Sequence, residues 1–215
     1  MTVRGYTVAL IVACALVLVL VPGTHGFLAI DCPVRGQLLV VEGWIPGYTI
    51  PGAISEFEKN GYRQLIAVGG PILLGSHLSE YASYAELTRA RLKRLGFNDE
   101  RIVVLETKDI RKDRTYESAK AVRHWAGLNR VGVQGLDVYT LGAHARRSRL
   151  LFQKAFGEDV AVGVIGAENQ SYESGDWWRS SNGVKTVMSE LIAYVYALAF
   201  FYPREEAKGV QGSWF

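Results

Sequence analysis

The sequence predicts an α/β domain of the Rossmann-like, doubly wound class, with a mainly parallel sheet of about five strands. Strand-like apolar runs alternate with helical patterns over residues 36–203, and this alternation implies right-handed crossovers between parallel strands. The chain has 215 residues, of which 49% are hydrophobic, and this suffices for the core of one ordinary domain. We find neither an internal repeat nor a low-complexity linker, so a single domain is expected.

Five short apolar runs predict the strands, because each is bounded by turn residues and too short for a buried helix. They cover residues 37–42, 63–70, 101–106, 135–142 and 159–166. Amphipathic spacing predicts the helices between and after them, with Gly61 and Gly96 as C-terminal stops and Thr115 as a cap. The helices cover residues 51–62, 79–97, 114–128, 145–157 and 182–203.

The last helix is mostly apolar, but its uncharged stretch from Leu191 to Pro203 has only 13 residues. A helix packed against the sheet is therefore expected rather than a second membrane span, with contact to a membrane surface as the alternative. Residues 204–215 are interpreted as a C-terminal tail.

The N-terminus contains an uncharged apolar segment, and residues 1–30 are interpreted as a membrane anchor with a span of about residues 6–22. A helix of about 17 to 25 apolar residues crosses the hydrocarbon core. Arg4 precedes the segment and Asp31 follows it, which favours a cytoplasmic N-terminus and an exported domain. A cleaved signal peptide and a lipoprotein modified at Cys14 are the alternatives.

The overall charge excludes some partners. The 24 Lys and Arg residues against 21 Asp and Glu residues give a net charge of +3, which is too balanced to indicate bulk binding to nucleic acid or to an anionic membrane surface. Cys14 and Cys32 cannot form a disulfide framework, and no Cys-x-x-Cys or His-Glu-x-x-His spacing occurs. No metal site is predicted, and the cofactor stays unknown.

Polar and glycine residues gather where the predicted strands end, and ligands of open parallel sheets bind at that edge. Glu42 ends the first strand, Gly69 and Gly70 the second, Glu106 the third and Thr140 the fourth. We expect Gly69 and Gly70 to let a ligand approach the backbone and to offer N–H groups to it. A divalent ion beside Glu42 and Glu106 stays open as an alternative.

The segment after the fourth strand, Leu141 to Arg149, contains one histidine and three arginines. His144 is predicted near the start of a helix, where the helix dipole favours an anion, and Arg147 lies one turn further. A phosphate-bearing or other anionic ligand is therefore expected there. Arg146 and Arg149 are interpreted as solvated charges, and a capping role for His144 is the alternative.

In an enzymatic version of this site, His144 is the general acid or base, and Glu106 orients it or activates water. Arg147, Gly69 and Gly70 hold the phosphate. The wall of the pocket is completed by Thr115 and Glu117.

From about residue 37 to residue 203 the chain resembles the SanA/ElyC/YdcF-like family of bacterial envelope proteins. The resemblance rests on five motifs in order, of which the most specific is the spacing of Thr140, His144 and Arg147. The others include Val68–Gly70, Glu106 and Thr115–Ser118. This chain departs from the family pattern with Glu42 in place of an apolar residue, Tyr84 in place of a glutamate and Ser118 in place of an asparagine.

The resemblance implies a Rossmann-like fold, Thr140 as a further site residue and a role in envelope biogenesis. It supports a single-pass protein of the bacterial cytoplasmic membrane whose domain, residues 36–203, is extracytoplasmic. The expected function is binding of an anionic, phosphorylated envelope intermediate such as a lipid-linked glycan, with catalysis left open. The alternatives are a non-catalytic factor using the same pocket and a nucleotide-type or methyl-donor binding domain.

Overall fold

The computed structural model describes Tyr6 and residues 21–73, 79–108 and 112–203. The sheet contains five strands, which are β1 (Leu38–Glu42), β2 (Gln64–Gly69), β3 (Ile102–Glu106), β4 (Gly135–Leu141) and β5 (Ala161–Ala167). The long helices are α1 (Ile50–Asn60), α2 (Tyr84–Arg94), α3 (Arg114–Leu128), α4 (Ala145–Phe156) and α5 (Ser181–Ala199).

All adjacent strands pair in parallel, in the order β3-β2-β1-β4-β5. The predicted α/β class and Rossmann-like sheet are therefore confirmed. From the central strand β1 the chain first builds one half of the sheet and then returns to place β4 on the other side. The carboxyl ends of β1 and β4 consequently flank the switch point of the topology, where such sheets bind ligands.

Helices cover both faces of the sheet because successive strand residues point to opposite sides. Leu39 and Val41 pack against Phe57 of α1 and Leu92 of α2. On the other face, the alternate strand residues pack against α3 and α4, including Val122 and Phe152. Helix α5 packs outside α4.

Two helix starts differ from the predicted bounds. Helix α2 begins at Tyr84 instead of residue 79, because the Ser83 hydroxyl caps it by accepting a hydrogen bond from the Glu86 N–H at 3.1 Å. Asp113, with φ of 55°, stands at the cap position of α3. Thr115 therefore lies within the first turn of α3 and does not cap it.

Residues before position 36 also pack against the domain. Residues 21–28 are helical, and Leu28 is fully buried. Val34 and Gly36 donate backbone hydrogen bonds of 2.7 and 3.1 Å to the buried carboxylate of Asp137. These contacts tie the residues before β1 to the strand β4.

The predicted anchor, about residues 6–22, falls almost wholly outside the described residues, as does the tail, residues 204–215. In the portion of the chain that the structure describes, every helix is too short or too polar to cross a bilayer.

Candidate functional site

A cleft of about 1030 Å³ opens at the switch point, beside the carboxyl ends of β1, β2 and β4. Its polar wall includes side chains from β1, α3, α4 and α5, namely those of Glu42, Thr115, His144, Arg147 and Glu190. Its apolar wall comes largely from the last two helices, through Leu151, Ala193, Tyr196, Ala197 and Phe201. The volume suits a ligand of metabolite size.

His144 stands at the centre of the polar wall. A 3-10 turn, Gly142–His144, joins β4 to α4, and Gly142 opens it with φ of 43°, a conformation that favours glycine. His144 occupies the cap position of α4, yet within the described ranges its side chain makes no capping hydrogen bond. The imidazole is instead directed to other side chains, and the residue is 7% exposed.

Two carboxylates from distant parts of the chain flank this imidazole. The Oε2 atom of Glu42 lies 3.6 Å from Nε2, and the Oε1 atom of Glu190 lies 3.0 Å from Nδ1. The Thr115 hydroxyl lies 3.4 Å from Nε2. Either tautomer of the ring therefore finds an oxygen acceptor for its N–H, which is a useful property in a group that takes up and releases protons.

Glu42 is 2% exposed, and neighbouring hydroxyl groups compensate for its burial. Thr140 of β4 donates a short hydrogen bond to Glu42 Oε2, and Ser148 of α4 donates one of 2.9 Å to the same atom. Buried carboxylates require such donors because they have lost their hydration. The two hydroxyls also fix the carboxylate at its distance from His144.

Arg147 holds the second carboxylate. Its Nε donates to Glu190 Oε2 at 2.8 Å and its terminal nitrogen to Glu190 Oε1 at 3.1 Å, so the pair is bidentate. Burial by itself would raise the pKa of Glu190, but His144 and Arg147 outweigh burial and lower this pKa to about 2. Glu190 therefore carries a negative charge beside His144 at neutral pH.

The N-terminus of α3, which adjoins this network through Thr115, adds two cations and the Asp113 carboxylate to the cleft wall. Asp113, Arg114 and Thr115, at the N-terminus of α3, line the cleft together with Lys108. Lys108 and Arg114 are exposed. The positive end of the α3 dipole and these two cations can attract an anionic group, whereas the exposed Asp113 carboxylate acts against it.

The structure places the predicted ligand-binding residues in several positions. Thr115, Gly69, Gly70, His144 and Arg147 line the cleft. Thr140 is fully buried under Glu42. Glu117 is paired with Lys120 at 3.1 Å on α3. Arg147 is occupied by Glu190 and His144, so it does not face a ligand as an unpaired cation, contrary to the expectation from its spacing.

Glu106 does not accompany His144 as predicted. Its Oε1 atom accepts a hydrogen bond of 2.8 Å from Ser83, and it lines a second, shallower cleft with Glu80 and Glu86. The reason is the strand order, because β3 is an edge strand and β1 separates β2 from β4. The acids next to His144 are Glu42 and Glu190, so the alternative of one ion shared by Glu42 and Glu106 also lacks support.

Gly69 has a packing role. A Cβ atom built on Gly69 would lie 2.9 Å from the Cβ of Tyr84 and 3.1 Å from the Ala85 nitrogen. Helix α2 therefore approaches β2 so closely that a side chain at this position would collide with it. We expected a ligand to approach the backbone at Gly69, but helix α2 occupies that position instead.

Arg149 is exposed, as expected, and Arg146 is partly buried; both donate to backbone carbonyls. The Arg146 guanidinium bonds to the Phe27 carbonyl and lies 4.1 Å from the centre of the Phe27 ring. Arg149 donates to the Val162 carbonyl at 2.8 Å. These contacts fix the N-terminal segment and β5 to α4.

Sequence reasoning missed the roles of three residues in the network. Two of them had a local signal in the sequence. Glu42 is an acid at the end of an apolar strand, and Ser148 follows His144 by one helical turn. Glu190 gave no local signal, because it lies 43 residues beyond Arg147. Across residues 21–73, 79–108 and 112–203, no group of three or more His, Cys, Asp or Glu side chains is arranged to hold a metal ion.

Comparison with protein-family models finds no match to this chain, and none of the curated proteins matches it either.

Proposed function

We propose that this protein binds an anionic, phosphorylated cell-envelope intermediate in the cleft and that His144 transfers a proton during its conversion. The observation that carries the proposal is the placement of a largely buried imidazole between Glu42 and Glu190, at the switch point and on the wall of an open cleft. A carboxylate beside each ring nitrogen allows either nitrogen to hold a proton, as a general acid or base requires.

The network suits general acid–base chemistry. In hydrolysis or transfer of a phosphoester, His144 takes the proton of the attacking water or hydroxyl group and returns a proton to the leaving oxygen. Glu190 at 3.0 Å orients the ring through Nδ1, and Glu42 at 3.6 Å faces Nε2. Thr140 and Ser148 act as positioning residues because they hold Glu42 in place.

The anionic part of the ligand is assigned to the N-terminus of α3. Arg114, Lys108 and the backbone N–H groups of the first turn offer charge and donors on the cleft wall. This assignment moves the phosphate from Arg147, which Glu190 neutralises, to Arg114. The assignment to an envelope intermediate, and to a domain outside a bacterial cytoplasmic membrane, is supported by the family resemblance and the predicted N-terminal span.

A non-catalytic factor that senses the same ligand is the second candidate. It is favoured by the extent to which the network is already satisfied, since the Arg147 guanidinium lies 2.9 Å from His144 Nδ1 and also holds Glu190. In this version the ligand binds at Arg114 and is released unchanged.

Ligand binding is testable through Trp44, whose ring centre lies 4.8 Å from that of His144. We expect inorganic phosphate and sugar phosphates to change the tryptophan fluorescence of the full chain in a saturable manner, and Trp44→Phe to remove the change. Arg114→Ala should weaken the binding, whereas Arg130→Ala, on the loop after α3, should not. Equal binding by both arginine variants would contradict the assignment of the anion to α3.

A further inference from the structure

The outward face of α5 exposes a continuous row of large apolar side chains. Their exposed fractions lie between 40 and 66% for Val184, Met188, Ile192, Val195 and Leu198. Spacings of three and four residues place most of these side chains on one side of the helix. Contiguous exposed apolar surface of this kind marks an interaction site.

The opposite face of α5 is fixed to the domain. Val187 and Ala197 are buried, and Glu190 belongs to the His144 network. Lys154 of α4 donates hydrogen bonds of 2.7 Å to the carbonyls of Ala197 and Phe201 at the end of the helix. The helix therefore cannot rotate to hide its outward face, and packing within the domain does not account for the apolar row.

The apolar face includes one charged residue, the exposed Lys185 near the start of the helix, and it continues beyond the helix without another. No Asp, Glu, Lys or Arg occurs from Leu191 to Pro203, and Phe200 and Tyr202 are 69 and 78% exposed. Aromatic side chains with one polar end are enriched where proteins meet the interface of a bilayer. A lysine beside an apolar helix face is typical of helices that lie at a membrane interface, because its long side chain can extend to the headgroups.

The N-terminal segment reaches the domain beside this helix. The Trp177 indole donates a hydrogen bond of 3.2 Å to the Val21 carbonyl, and Val21 packs against the cluster that includes Val187. The centres of the Phe27 and Tyr194 rings lie 5.6 Å apart. Residues 7–20, which precede Val21 and lie outside the described residues, contain no charged residue.

We propose that the outward face of α5 lies on the lipid bilayer, with the helix parallel to the membrane surface. A chain anchored through residues 6–22 leaves the bilayer next to α5. The anchor therefore keeps the apolar row close to the membrane, and its contact with lipid is an intramolecular step that loses little further translational entropy. The proposal rests on the anchoring part of the proposed function and not on the chemistry of the cleft. In this arrangement Ala193 and Ala197, which line the cleft, belong to the same helix that contacts the lipid.

The test uses the full chain in phosphatidylethanolamine and phosphatidylglycerol vesicles, with Cys14→Ala and Cys32→Ser to remove the native thiols. An environment-sensitive fluorophore is attached through Ile192→Cys or, in a second variant, Met188→Cys. The control is Leu95→Cys, an exposed leucine after α2 on the opposite side of the sheet. Nitroxide lipids and aqueous iodide quench the probes from the two phases.

We expect lipid quenchers to place the probes at 192 and 188 about 5–10 Å below the headgroups, and the probe at 95 in water. Iodide quenching at 192 equal to that at 95 would overturn the proposal. Shielding of 192 from both quenchers would also overturn it, in favour of a protein partner. Release of the chain from the vesicles by alkaline extraction would show that it is not anchored. A chain that stays in the vesicles while its probe at position 192 is in water would instead contradict only the placement of α5.

Discussion

The Oε2 atom of Glu42 lies 3.6 Å from the Nε2 atom of His144, although 102 positions separate them in the sequence. The contact exists because β1 and β4 are neighbours in the sheet, and it brings a carboxylate from one strand end to an imidazole from the next. The contact between Glu42 and His144 locates the site at the ends of β1 and β4, which the positive charge of the Leu141–Arg149 segment alone does not.

We expect Glu42→Gln to destabilise the protein by about 1–3 kcal/mol, because an amide can turn an N–H₂ group towards the donors Thr140 and Ser148. Chemical unfolding measures the effect. Glu106→Gln is the control, since Glu106 is exposed and accepts a single bond from Ser83. Equal losses in the two variants would show that Glu42 has no special place in the network.

The pKa of Glu190 predicts an acid-dependent stability. Because this pKa is about 2 in the folded protein against an ordinary value of 4.5, the ionised carboxylate stabilises the fold fully above pH 4.5. That contribution is lost as the pH falls from 4.5 towards 2. Unfolding measured over this range should show a shallower pH dependence for Glu190→Gln than for the wild type.

Arg147→Met gives the matching control for this pH dependence, because it removes the bidentate partner and leaves the carboxylate in place. We expect the pKa of Glu190 to rise in this variant, so the acid-dependent loss of stability, which still begins near pH 4.5, should be smaller and should end at a higher pH than in the wild type. Identical pH profiles for wild type and Arg147→Met would show that the ion pair does not set this pKa.

Gly69 and Gly127 predict opposite results for the same substitution. Gly69→Ala places a methyl group 2.9 Å from the Tyr84 Cβ, and such overpacking costs about 1–3 kcal/mol. Gly127→Ala meets no atom within 4 Å among the described residues and lies in α3, where alanine is favoured by up to about 1 kcal/mol. Thermal unfolding of both variants tests the packing role of Gly69. A melting temperature unchanged by Gly69→Ala would instead fit a glycine that leaves room for a ligand.

The fold was predictable because apolar runs and helical spacing alternate along the chain without exception. The strand bounds agree with the structure to within two residues, because each strand is a mostly apolar run, whether it is buried, as β1 is, or partly exposed, as β3 is. Helix ends were less predictable. The hydroxyl of Ser83 starts α2 five residues after the predicted beginning, and such side-chain capping competes with the apolar pattern.

The site was predictable only where it is local in sequence. His144 and Arg147 lie one helical turn apart, so their spacing indicated a shared site. The partner carboxylates depend on strand order and on the packing of α5, which no local pattern encodes. Glu106 ends its strand as Glu42 does, but β3 lies at the edge of the sheet, two strands away from β1.

Turnover by His144→Gln tests the central claim most directly. We would incubate the full chain with a panel of phosphorylated sugars and lipid phosphates and follow phosphate release by wild type and variant, with binding monitored through Trp44. The expected result is loss of about 10²-fold or more in rate with binding retained, as for removal of a general acid or base. Turnover at an equal rate by both proteins, or its absence in the wild type, would contradict catalysis by His144.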